Sequence, residues 1–433
     1  MYSLWFETAK TDGFSPLKGN AKTDVLIIGG GIAGLLCAYF LQNAGVDYIL
    51  TEADKIGGGI TKNTTAKITS QHGLLYHKLF KNSGAEKTKM YLNANQSALA
   101  EYRRLCANID CDFEEKDAYV YSLSDRKIIE NELSALNKIG FAAEFARKIP
   151  LIPEIAGAIK FPRQAQFHPM KFIAGISKGL NIFEHTKINE LIPRAAITEY
   201  GGKISANHII IATHFPFLNK HGGYFLKMYQ HRSYVIAFEN TPDVNGMYLE
   251  EKTDGLSFRN YNGLLLIGGG DHKTGKKGGN WKVLRDFAAN ICPESREKYS
   301  WSTQDCMTLD GVPYIGRYGK STEKLYVATG FNKWGMTSAM VAAMILTDMI
   351  FGRKNEYAEV FSPQRSMMKP QLLLNALTAV GNLLTPTVPR CPHLGCALKW
   401  NPAERSWDCP CHGSRFEENG RIIDNPATGG LKR

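Results

Sequence analysis

At 433 residues, 44% hydrophobic and 21% charged, the chain has room for roughly two to four domains and is excluded from the disordered and fibrous classes. A formal charge of +11 with pI near 9.0 suits an acidic protein, an anionic substrate or a membrane surface, while its scattered lysines (Lys273, Lys276 and Lys277 are the densest group) argue against nucleic acid. The opening MYSLWFETAKTDGF lacks the regions of a secretory signal and no apolar run reaches transmembrane length, so a cytoplasmic location is expected.

Residues 1–23 read as a mostly irregular arm. Residues 24–52 then read as strand, glycine turn, helix and second strand. In Gly29-x-Gly31-x-x-Gly34 the first glycine permits the turn, the second lets backbone approach a pyrophosphate, and the third lets helix pack on strand. The helix that follows points its N–H groups at phosphate oxygens. Glu52, 18 residues after Gly34, is placed to accept ribose hydroxyls. The unit predicts a dinucleotide site at Gly29, Gly31, Ile32, Ala33, Gly34, Glu52 and Ala53. In the Gly/Thr/Lys-rich stretch after it, Gly58 and Gly59 offer N–H groups to phosphate or ribityl oxygens. Thr64, Thr65, Ala66 and Lys67 are expected along a bound flavin.

Residues 74–148 read as mainly helical, with a strand-like piece at 118–123, the look of an insertion over a cofactor domain. FPRQAQFHP ends in a turn that starts a helix at Met170; His168 there either lines a pocket or caps that helix. Residues 209–213 read as a buried strand running into a small-residue turn, similar to the pattern that lies beside the dinucleotide in two-domain flavoproteins, a resemblance that implies the same place for Ala212 and Thr213. Residues 216–300 alternate apolar and polar, as in an antiparallel sheet facing the flavin. They contribute His231, Arg232, Tyr234, Arg259 and His272 as polar candidates. After Trp301 come a strand at 326–329, a turn and a long apolar helix. Its positive end, with Gly330, Gly335, Met336 and Thr337, is expected at the flavin pyrimidine, stabilising negative charge on the reduced ring.

Residues 364–385 predict a moderately apolar helix interrupted by Pro370, whose leucines share one broad face. It serves either as a connector packed on the body or as a weak contact with a membrane surface or partner. Five of the nine cysteines are scattered and four crowd the tail, which points to metal or redox use more than to a disulfide framework. Cys391-Pro-His393 and Cys409-Pro-Cys411-His412, separated by 15 residues, have the spacing of a Rieske [2Fe–2S] site. Cys391 and Cys409 take one iron, His393 and His412 the other. Zinc is the rival ligand for such a set, though Pro, Gly and Ser flank both loops as around a Rieske cluster.

The first unit, the ATH strand, DGVPYIG and GFNKWGMT together resemble the flavoprotein oxidoreductases typified by D-amino-acid oxidase, sarcosine oxidase and glycerol-3-phosphate dehydrogenase, over about residues 20–355. With SLWFET, NTTAKITSQHG and the tail, the whole chain resembles a bacterial family of FAD-dependent oxidoreductases with a C-terminal Rieske domain. The resemblance implies an α/β + β chain. Its discontinuous Rossmann-like FAD-binding domain spans 1–75, 160–215 and 301–360. A helical insertion and antiparallel-sheet substrate domain spans 76–159 and 216–300, a connecting helix 361–385, and a truncated Rieske domain 386–433, one wall of which the flavoprotein body supplies. It further implies a disulfide between Cys396 and Cys411, and places Ser414 where a serine bonds a cluster sulfide and Phe416 where high-potential members carry tyrosine. Cys306-Met307 resembles the pair through which sarcosine oxidase links covalently to flavin; a free buried cysteine is the alternative. No arginine matches the carboxylate-binding one of the amino-acid oxidases.

The expectation is a dehydrogenase that removes hydride from a small amine or amino acid onto FAD and passes electrons singly through the cluster to an external acceptor. Lys67, His72, His231, Arg232 and Lys333 are its candidate catalytic residues. Reverse flow from an external donor protein, or a redox carrier or sensor without small-molecule substrate, are the alternatives.

Overall fold

The computed structural model describes residues 3–218, 221–278, 280–386 and 389–431. Val25, Leu26, Ile27 and Ile28 are buried on both faces, as the centre of a parallel sheet requires. Their strand, Ala21–Ile28, pairs in parallel with Tyr48–Thr51 on one side and Lys203–Ile211 on the other. Ile182–Phe183 and Leu325–Thr329 extend the two flanks in parallel, and Tyr314–Arg317 closes one edge antiparallel. Strands distant in sequence thus meet in one layer. The helices Ile32–Asn43 and Gly335–Ile350 pack together over it.

A second sheet of nine strands stands beside the first. Its order is Arg296–Thr308, Met228–Glu239, Leu264–Lys273, Ser257–Tyr261, Met247–Glu250, Glu114–Ser122, Gly157–Gln166 and Lys67–Ile68, with Glu144–Ala146 added on Gly157–Gln166. All neighbours are antiparallel except Glu114–Ser122 and Met247–Glu250. The boundaries expected at 160 and 301 fall inside two of these strands. A long strand carries the same buried apolar run in either sheet, so the residue where the chain changes layer is not written in its hydropathy.

The arm before the first strand is mostly irregular, apart from Leu4–Thr8, a helix capped by Ser3, whose fully buried Trp5 donates through Nε1 to the Thr64 carbonyl at 2.7 Å. One further expectation needs correction. Pro370 does not interrupt a helix but begins one, Pro370–Leu384, at the position where a missing N–H costs nothing.

The last sheet is a four-stranded antiparallel meander of Lys399–Asn401, Ser406–Asp408, Arg415–Glu417 and Ile422–Asp424. Its small core holds Cys391, Cys396, Leu398, Cys409, Cys411 and Phe416. No described helix is long and apolar enough to cross a membrane.

Candidate functional site

A cavity of about 750 Å³ opens where the two large sheets face each other, within the range of small-molecule sites. Gly29, Gly31, Ile32, Ala33, Glu52, Ala53, Gly58, Gly59, Thr64, Thr65, Lys67, Ala212, Thr213, Gly335 and Met336 all line it. Gly34 acts from behind: a Cβ there would stand 1.9 Å from the Gly29 carbonyl oxygen, so only glycine lets this helix start so close to the turn. Glu52 accepts the N–H of Gly30 at 2.7 Å and of Asp54 at 2.9 Å, which fixes its carboxylate at the end of the second strand. Ala66, Gly330 and Thr337 are not among the lining residues; Thr337 instead donates to the Thr69 carbonyl at 3.1 Å.

The candidate catalytic residues divide. Lys67 lines the cavity and donates to the Tyr248 carbonyl at 3.2 Å; burial, helped by nearby Arg259, lowers its pKa to about 7. Lys333 lines it too, held 2.6 Å from Asp271. His72 lies behind the wall: its Nδ1 is 2.6 Å from the Tyr91 hydroxyl, its ring stacks on Trp334, and burial lowers its pKa to about 3. His231 is the cross-strand partner of Asp305 but does not itself line the cavity. Arg232 turns away altogether. Its guanidinium pairs with Glu404 of the tail. Of the other polar candidates, His168 takes the capping role, at the start of the helix Pro169–Ile176. Arg259 is buried, donating to the Thr65 carbonyl at 2.7 Å.

Asp271 and Asp305, which sequence reasoning did not single out, complete the polar end of the cavity. Burial raises both carboxyl groups, Asp305 to about 6, against the pull of Lys333. The Asp271 Oδ1 is buried and has no hydrogen-bond partner among the described residues. No arginine is found among the described lining residues.

Strand alternation explains why Arg232 left the cavity. Along Met228–Glu239 and Arg296–Thr308, Ser233, Val235, Thr303, Asp305 and Met307 face the cavity. Tyr234 borders the cavity too, yet its hydroxyl donates to Glu404 of the tail at 3.1 Å; Gln230, Arg232, Ser302 and Gln304, of the alternate parity, face the tail. Gln230 donates to the His412 carbonyl at 2.8 Å, Gln304 to the Gly413 carbonyl at 2.9 Å, and Ser302 to Glu404 at 2.7 Å. Cys306 lies on that far side, buried and absent from the cavity wall, whereas Met307 is in it. Gly413 approaches so closely that a Cβ would stand 2.6 Å from the Gln230 Cβ.

Behind this ribbon the two tail loops bring the predicted iron ligands together. The His393 and His412 rings are 4.9 Å apart, and Phe215 meets both edge-on at 6.4 and 6.5 Å. Burial lowers the two imidazoles to about 4 and about 3, so both are neutral and able to ligate at pH 7. The His412 Nδ1 is buried without a hydrogen-bond partner among the described residues, a lone pair left for a metal. The Cys391 thiol is lowered to about 7 by hydrogen bonds from Cys409, the His393 and Leu394 N–H groups and the Ser414 hydroxyl. Cys396 and Cys411 form a disulfide that ties the loops. The donor set fits a Rieske cluster, and the glycine-walled cavity fits a dinucleotide.

The tail also reaches the cavity itself. Asn425 donates to the Thr213 and Phe215 carbonyls at 2.7 and 2.9 Å, and Asp424, Asn425, Ala427 and Thr428 lie in the cavity wall.

Comparison with known proteins agrees with this geometry. Residues 24–349 match the family described as FAD dependent oxidoreductase, and residues 367–433 match the Rieske [2Fe-2S] domain. A Bacillus subtilis (strain 168) protein named as the Rieske 2Fe-2S iron-sulfur protein YhfW is 33% identical over 100% of this chain and 97% of its own. The cytochrome b6-f complex iron-sulfur subunit of Nostoc punctiforme is 51% identical over 37 residues, 8% of this chain and 21% of that one. Among solved structures, glycine oxidase from Geobacillus kaustophilus shares the fold with TM-score 0.68 and 19% identity, over 80% of this chain and 100% of that one.

Proposed function

The chain belongs to the FAD dependent oxidoreductases and ends in a Rieske [2Fe–2S] domain, and from that premise we propose that it is a dehydrogenase acting on a small amine or amino acid and discharging electrons through its own cluster. One observation carries the reading: the cavity and the cluster loops occupy opposite faces of the same two-stranded ribbon, and Asn425 bonds the cluster domain to the cavity wall. When bound, FAD supplies two-electron hydride acceptance and the cluster one-electron transfer.

The residues divide the work as follows. Gly29, Gly31 and the helix starting at Ile32 hold the pyrophosphate, and Glu52 the ribose. Gly335 and Met336, at the start of a 16-residue helix, turn its positive end toward the cavity, where it would favour negative charge on a bound flavin. Asp305, raised to about 6 yet mostly ionised at pH 7, takes the proton of the substrate ammonium, freeing the nitrogen lone pair that drives hydride departure from the adjacent carbon. The Asp271–Lys333 pair orients the amine, and Lys67, whose Nζ donates to the Tyr248 carbonyl, has further N–H groups to offer a carboxylate where the substrate carries one. The glycine oxidase named above acts, by its title, on an amino acid, in keeping with this class.

An anaerobic titration tests the proposal. Adding amines and amino acids should bleach the flavin absorbance and then raise a Rieske EPR signal with average g near ~1.9, as expected for histidine ligation. Reduction of both centres by dithionite but by none of these compounds would sink it.

A further inference from the structure

The helix Pro370–Leu384 is turned inside out. Its one buried residue is Asn375, whose Nδ2 donates to the Leu226 carbonyl at 3.1 Å, and Gln371 bonds Asn375 on the same inward side. The face left outside carries Leu373, Leu374, Leu377, Val380, Leu383 and Leu384, each between 44% and 76% exposed. Such a stripe in water costs free energy unless something apolar covers it.

Charge says what covers it. From Val360 to Ala403 the chain has no Asp or Glu, while Arg365, Lys369, Arg390 and Lys399 are basic, within a protein of net charge +11. Arg365 is engaged by Asp310, whereas Arg390 bonds only carbonyl groups in the hydrogen bonds seen. An apolar helical face in a stretch without acids, bordered by cations, is complementary to an anionic lipid surface. At 15 residues, about 22 Å, the helix is suited to lie in the interface rather than cross it.

We propose that this helix seats the enzyme on an anionic bilayer, with its leucines among the acyl chains and its amides against the protein. The seating is also placement. The Asn382 carbonyl at the helix end accepts the Ala397 N–H at 3.0 Å, and Arg390 bonds the Leu383 and Gly395 carbonyls, so the helix is joined to the first cluster loop. Leu394 of that loop, beside the iron ligand His393, is itself exposed. Docking brings the first cluster loop to the membrane.

The test is sedimentation of the holoenzyme with phosphatidylcholine vesicles containing about 30% phosphatidylglycerol, and with pure phosphatidylcholine vesicles. Wild type should pellet with the anionic vesicles and less with the neutral ones. Leu373→Gln/Leu377→Gln/Leu384→Gln and, separately, Val380→Asp should lose binding by about tenfold or more while keeping both absorbance spectra. Wild type remaining in the supernatant overturns the proposal. So does a dimer in sedimentation velocity that the same variants dissolve, since a second copy would then cover the face.

Discussion

Gln304 and Asp305 are consecutive in one strand and serve opposite sides of it: Gln304 donates to the Gly413 carbonyl in a cluster loop, and Asp305 lines the flavin cavity. A single extended backbone therefore separates the two chemistries. Replacing His393 with Leu should abolish the cluster EPR signal and lower turnover with a one-electron acceptor by about 100-fold or more. Flavin bleaching by substrate in anaerobic stopped flow should be unchanged. Equal loss in both measurements would mean the flavin half-reaction depends on the cluster.

Asp305 gives that half-reaction a pH signature. Burial raises its carboxyl to about 6, so it is a base above that pH and a neutral acid below it. The kcat/KM for flavin reduction should fall about tenfold per pH unit below about 6. Asp305→Asn should lower the plateau and flatten the acid limb. An unchanged limb in the variant would assign the titration elsewhere.

Arg232 holds the tail to the body. It and Arg415 meet Glu404 in a pocket where all three are nearly inaccessible. Arg232→Met leaves a buried carboxylate short of a partner and should cost about 3–5 kcal/mol. A melt followed through the cluster absorbance measures it. Flavin reduction by substrate should change far less, because the guanidinium does not reach the cavity.

The same cluster predicts acid sensitivity. Burial alone would raise the Glu404 carboxyl, but Arg232 and Arg415 hold it at about 2, below its ordinary value of 4.5. A depressed carboxylate contributes stability that is complete above about 4.5 and lost as pH falls toward about 2. Urea melts between pH 5 and about 3 should show cluster loss with a slope that is smaller in Arg232→Met.

Gly34→Val places a side chain where even a Cβ would be 1.9 Å from the Gly29 carbonyl oxygen. The helix must move off the turn, and the purified protein should carry little flavin absorbance. The cluster loops, held by the other sheet, should still bind iron.

Much of this was legible beforehand because it is local. The turn at Gly29–x–Gly31, the helix after it and the Cys-x-His and Cys-x-x-His loops are written within short windows, and their spacing is their function. What depended on strand parity was not. Arg232 and Asp305 look alike as polar residues in alternating strands, but which face meets the cavity is set by pairing with residues about seventy positions away. The exposed leucines of Pro370–Leu384 show the same limit. Their periodicity is visible in the sequence, while the side that faces the protein was decided by Asn375 and its partner Leu226.

The wall supplied by Asp424–Thr428 also bears on how such a chain is assembled from parts. Two domain families meet here, yet neither is a detachable cassette. Excising the tail would open the cavity at Asn425 and take from Gln230, Arg232 and Gln304 the partners they now bond. Grafting the tail elsewhere would deprive it of the ribbon on which its loops rest. The two parts share one packed interface, and a change on either side of it must be matched on the other.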